Sequence, residues 1–154
     1  MNFETSFEKS YDVFQLESEK LENSIQRIGE KSEKSLSDIV DVYYQIIKVD
    51  SMAKLLKENF QAKAESTHQV LLERIDQVQN HLVEKFNTSF HPTILLYLTD
   101  LVTTKTKKLK ALAKDPDQKS KERIEDEAKF YKELREIMST KEFVEQYENG
   151  LKDD

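Results

Sequence analysis

The residues best spaced for chemistry are Glu65 and His68. A Glu-x-x-His pair on a helix sets a carboxylate and an imidazole one turn apart. Helical bundles hold two metal ions this way when two such pairs and two further Glu all face inward. Here the pair stands alone, because neither His81 nor His91 has a Glu three residues before it. One pair in a Glu-rich chain serves equally as a helix cap or a contact residue.

Acidic pairs recur at Glu122/Glu125, Glu133/Glu136 and Glu142/Glu145. Helical enzymes that handle nucleotide phosphates use paired acids of this kind, since Mg²⁺ takes carboxylate and phosphate oxygens. No Glu-x-x-Asp partner follows these pairs, and Lys129 and Lys132 lie among them. That pattern is also what a solvated face laced with i,i+4 ion pairs looks like. Glu65, His68, Glu122 and Glu125 are therefore the candidate metal ligands, with Glu142 as a further acid for an enzymatic reading. Their spacing calls for no particular cofactor.

A third feature is cationic. Over residues 103–123 there are eight Lys and Arg against three Asp and Glu, so this segment carries +5 and the remainder −11. Lys105, Lys107, Lys108, Lys110, Lys114, Lys119, Lys121 and Arg123 form a candidate anion-binding patch. A single Arg and no aromatic argue against duplex DNA, which asks for bidentate contacts and stacking. A small anion or an acidic protein surface suits the patch better. Lysines near a helix C-terminus also complement the macrodipole, which is the structural alternative.

The aromatic residues make a fourth group. Tyr43, Tyr44, Tyr97, Phe130, Tyr131, Phe143 and Tyr147 exceed what one thin core needs, and Tyr and Phe are enriched where proteins meet. The neighbours in Tyr43-Tyr44 and in Phe130-Tyr131 point about 100° apart on a helix. One of each pair belongs at a boundary.

Long helices must position all of these. The chain of 154 residues has only two Gly, two Pro and no Cys. So few breakers exclude a sheet-rich fold, and two glycines at 29 and 150 leave no Gly-rich phosphate loop. The lack of cysteine removes disulfides and thiolate metal sites and fits a reducing compartment. The acidic start Met1-Asn2-Phe3-Glu4 does not look like a signal peptide. The apolar run Ile94–Leu98 is too short to span a bilayer. A cytoplasmic setting is the resulting expectation.

Apolar residues recur every three or four positions, as one helix face requires. The stripes are Phe7–Phe14–Leu21–Ile28; Leu36–Ile39–Tyr43–Ile47 on to Phe60; Leu71–Ile75–Val78–Leu82; Ile94–Leu98–Leu101 on to Leu112; and Ile124–Ala128–Tyr131–Leu134–Met138. Capping signatures at Thr5…Glu8, Ser35…Asp38, Ser66…Gln69, Asp115…Gln118 and Ser139…Glu142 predict helix starts. Gly29 and Gly150 suit left-handed C-caps. Pro92 and Pro116 suit first turns. Residues 61–67 either break the second stripe from the third or fuse them, and the Ser66 cap predicts the break.

The expectation is an all-α, up-and-down antiparallel bundle of four or five long helices with a short C-terminal helix, in one domain over residues 1–154. The function that follows best is a non-enzymatic interaction or scaffold protein that self-associates or binds another protein. A metal- or phosphate-handling helical enzyme and an anion-binding patch are the alternatives.

Overall fold

In a computed structural model residues 3–61, 66–114 and 120–152 are described, and they are helical apart from the turn at 31–35. The helices are α1 (Phe3–Glu30), α2 (Leu36–Gln61), α3 (Ser66–Lys85), α4 (His91–Lys114) and α5 (Ser120–Lys152), with a π turn, Phe86–Phe90, between α3 and α4. No strand occurs among the described residues. Tertiary contacts gather into two compact units, residues 1–91 and 92–154.

The first unit is a three-helix bundle. On α1, Tyr11, Phe14, Ser18, Leu21, Ile25 and Ile28 are buried at alternating steps of three and four, which is a heptad seam. Ser18 is tolerated there because its hydroxyl donates to the Phe14 carbonyl at 2.8 Å. On α3 the buried line is Leu72, Ile75, Gln79 and Leu82, continuing into Phe86. Glu17 of α1 meets Lys48 of α2 at 3.6 Å, so this pair runs antiparallel across the turn at 31–35. Asp50 and Lys57 on α2 meet Gln79 and Asp76 on α3, so the chain reverses again and no fused rod forms.

That second contact is a polar network. Gln79 is only 8% exposed. It donates to Asp50 at 2.6 Å and accepts from Lys57 at 2.8 Å, while Lys57 also reaches Asp76 at 2.7 Å. A buried amide must satisfy both its ends, so this network penalises any slip of α2 along α3.

Several helix boundaries differ from expectation. α1 is already helical at Phe3, upstream of the Thr5 cap. It stops after Glu30 without a left-handed residue, since no described residue has positive φ. Lys31 N–H instead closes on the Ile28 carbonyl at 3.3 Å, and the Lys34 ammonium covers the Gly29 and Lys31 carbonyls. α2 starts as expected, with Ile39 N–H donating to the Ser35 carbonyl at 3.1 Å.

Pro92 sits at the second position of α4 but no loop precedes it. A proline cannot donate to the carbonyl four residues back and its ring crowds that carbonyl. The backbone accommodates it by widening, and His91 N–H bonds Phe86 five residues earlier.

The second unit is the α4–α5 hairpin, antiparallel because Lys105 meets Glu133 across the connection at 115–119. The expected separate C-terminal helix is absent. Ser139 lies inside α5, whose buried line Ile137–Thr140–Val144 runs straight through the supposed cap. Thr140 returns its hydroxyl to the Glu136 carbonyl at 2.9 Å, which lets it sit mid-helix. Gly150 is likewise within α5. The Asp115…Gln118 cap with Pro116 falls outside the described residues.

Candidate interaction surface

The buried line of α5 is not the line its sequence periodicity suggested. The periodicity sets Ile124, Tyr131 and Met138 on one helix face, and they are 65%, 56% and 53% exposed. The packed face is rotated by about one residue, or 100°, to Phe130, Ile137 and Val144. α5 therefore carries two apolar faces, one packed and one open at heptad spacing.

Beside the open face lies a groove of about 570 Å³ formed by Val102, Tyr131, Leu134 and Met138, with Arg135 and Glu142 among its rims. It is a shallow apolar floor with charged edges. Such a surface suits the ridge of another helix better than a small substrate.

The aromatic candidates divide as their helical directions require. Tyr43 is fully buried and so leaves the set of surface residues. Its hydroxyl lies 2.6 Å from His91 Nδ1, and its ring meets Phe86 edge-on at 4.9 Å and Phe90 at 6.1 Å. Tyr44 is 59% exposed. Phe130 is half-buried and Tyr131 exposed, while Tyr97, Phe143 and Tyr147 are half-buried.

The basic patch also divides. Lys105 is engaged, ion-paired to Glu133 and seated over the Phe130 ring at 5.0 Å from its centroid. That hydrogen bond holds the Glu133 carboxyl below the usual carboxylate range against the opposing effect of partial burial, with Lys129 and Lys108 adding to it. Lys107, Lys108, Lys110 and Lys114 are exposed on α4. Lys119 and the side chains of Lys121 and Arg123 lie outside the described residues. Two of the threonines of this stretch are backbone-bonded, Thr103 to the Thr99 carbonyl at 3.0 Å and Thr106 to that of Val102 at 2.7 Å.

The metal candidates are not gathered into a site among the described residues, where no group of three or more potential ligands converges. Glu122 and Glu125 are exposed on α5, as is Glu142, and Glu65 and the His68 side chain lie outside the described residues. His81 faces Glu22 at 3.4 Å, with Lys85 at 3.5 Å from the same oxygen, in a shallow α1–α3 cleft of about 270 Å³. An exposed imidazole and a half-buried ammonium share one carboxylate at the surface, and sequence reasoning had no signal for it because the contacts span two helices. No helix of the described residues is long and apolar enough to cross a membrane.

Against known proteins, the chain matches no family model, no curated protein and no solved structure.

Proposed function

We propose that this protein is a non-enzymatic helical interaction or scaffold protein that self-associates through helix faces, in a cytoplasmic setting that suits a chain without cysteine. The observation that carries the reading is the open stripe Ile124–Tyr131–Met138 on α5. Single exposed apolar residues are ordinary on any surface, but three at heptad spacing beside an apolar groove are what a partner helix covers. The exposed Tyr44 and Ile47 on α2 offer a second, smaller patch for another protein. Sedimentation analysis across micromolar concentrations tests the reading. A reversible rise in mass with concentration is expected, and a monomer at every concentration would overturn it.

A second reading has its own observation. Lys107, Lys110 and Lys114 stand exposed at i, i+3 and i+7, one cationic line along α4. Acidic protein surfaces and phosphorylated ligands are the chemistry that would seek it. Binding of inorganic polyphosphate that falls steeply with salt is the expected mark, and salt-independent binding or none would remove this reading.

A further inference from the structure

His91 is a buried titratable residue that neither reading of function uses, 7% exposed at the end of the π turn. It fastens that turn twice. Its N–H donates to the Phe86 carbonyl and closes the turn, and its Nδ1 lies 2.6 Å from the hydroxyl of Tyr43 on α2. Tyr43 in turn meets Phe86 and Phe90, both buried, so one pair of side chains joins the π turn to the core of the three-helix bundle.

The surroundings of the ring suit a neutral imidazole. Tyr43 stands edge-on to it at 5.8 Å, and Phe86 lies nearly parallel at 6.3 Å between centroids. The titratable group facing it from α2 is the Tyr43 hydroxyl, and the π turn also buries an uncharged amide oxygen, that of Asn87. Arg27 and Glu30 on α1, Asp41 and Lys48 on α2 and Glu84 on α3 are exposed, while Lys85 is paired with Glu22. A proton added to the ring brings a charge out of water, and burial disfavours the charged form. The Phe86 face returns part of that cost, because a cation over an aromatic ring is favourable, but the loss of hydration is the larger effect. The hydrogen bond resists protonation as well. If Tyr43 donates to Nδ1, protonation reverses the bond and strands a hydroxyl proton in the core. If Nδ1 donates instead, the new proton must go to Nε2, itself buried.

We infer that His91 is an acid-sensitive latch: protonation of its ring releases the π turn from α2. This goes beyond the interaction reading and holds equally for a monomer or an assembly. An opened turn offers the ring to water, where an imidazole takes a proton near the ordinary value of about 6.5. Above that pH the latch contributes fully. Below it the open form gains by up to about tenfold per pH unit, the slope of one proton. Mild acid thereby brings Phe86 and Phe90, shut away at neutral pH, into contact with water.

Hydrogen exchange of the backbone amides of Phe90 and His91, corrected for the intrinsic pH dependence of exchange, measures this opening. Between about pH 7.5 and 5 the wild type is expected to lose about tenfold or more of its protection at these amides. His81→Gln, at an exposed histidine, should behave like the wild type. His91→Gln keeps a polar side chain that does not titrate, so its protection should stay flat. Unchanged protection in the wild type, an equal loss in His91→Gln, or a loss that vanishes in His81→Gln would each overturn the latch. The wild type gives a second check that needs no variant to fold. Its His91 ring resonance should keep the position of a neutral imidazole while the α2 amides remain protected. A ring that takes up a proton with the π turn still protected would overturn the proposal.

Discussion

Tyr43 and Tyr44 are neighbours in sequence and opposites in surroundings. Tyr43→Phe keeps the ring and removes the hydroxyl from His91, which leaves a buried polar atom without that bond. A loss of about 1–3 kcal/mol in urea unfolding is expected, against a change within about 0.5 kcal/mol for Tyr44→Phe on the surface. Equal effects would contradict the burial assigned to the pair. The sequence reading foresaw that one of the two sits at a boundary, because a helix turns about 100° per residue. It could not say which, since the choice is made by His91, 48 residues away. Glu133 gives a pH signature. Its carboxyl is held below the usual range by Lys105, so its contribution is complete above the pKa of an unfolded Glu and is lost as pH falls through the depressed folded value. The stability difference between the wild type and Glu133→Gln should therefore shrink as unfolding is measured from neutral pH into acid. A difference that grows in acid would reverse the assigned sign.

Helix elements were legible as objects and less so in their phase and their ends. The stripe read for α2 ran through Ile47, whereas the residue packed in the bundle is Ile46, at 2% exposure. With two isoleucines in succession, periodicity alone fits either, and the neighbouring helices decide. Ile46→Ala is expected to cost about 2–5 kcal/mol, and Ile47→Ala about 0.5 kcal/mol or less in dilute protein. The same ambiguity in Phe130-Tyr131 and in Ile137-Met138 hid the packed face of α5 and gave its open stripe the look of a core. Helix ends were harder still. Ser139 carries a start signal, yet α5 runs straight through it to the buried Val144, whereas Pro92 does lie in the first turn of α4. Local capping contributes about 1 kcal/mol, which burial of a Val or a Phe readily outweighs. The α2–α3 register was invisible in sequence, because Asp50, Lys57, Asp76 and Gln79 meet only in three dimensions. Gln79→Ala and Lys57→Met should couple by about 0.5–3 kcal/mol in a double-mutant cycle, and strict additivity would show that the network does not set the register.

For the whole molecule, composition alone carried the all-α class, and no helix of the described residues is long and apolar enough to cross a membrane. Length favoured one domain, while the packing gathers into two units that divide at His91 and Pro92. The acidic total of −6 conceals a basic segment, +5 over residues 103–123 against −11 in the remainder. The basic segment was plain in the sequence. The fold leaves the apolar stripe of α5 as an open face, and it is this face that the proposed assembly uses. Sedimentation equilibrium of the wild type beside Tyr131→Glu/Met138→Glu tests that account most directly. Both positions are exposed, so the substituted chain should keep its helicity. The account expects the wild type to associate reversibly and the double variant to remain a monomer over the same concentrations. A wild type that stays monomeric, or a folded double variant that associates as strongly as the wild type, would contradict it.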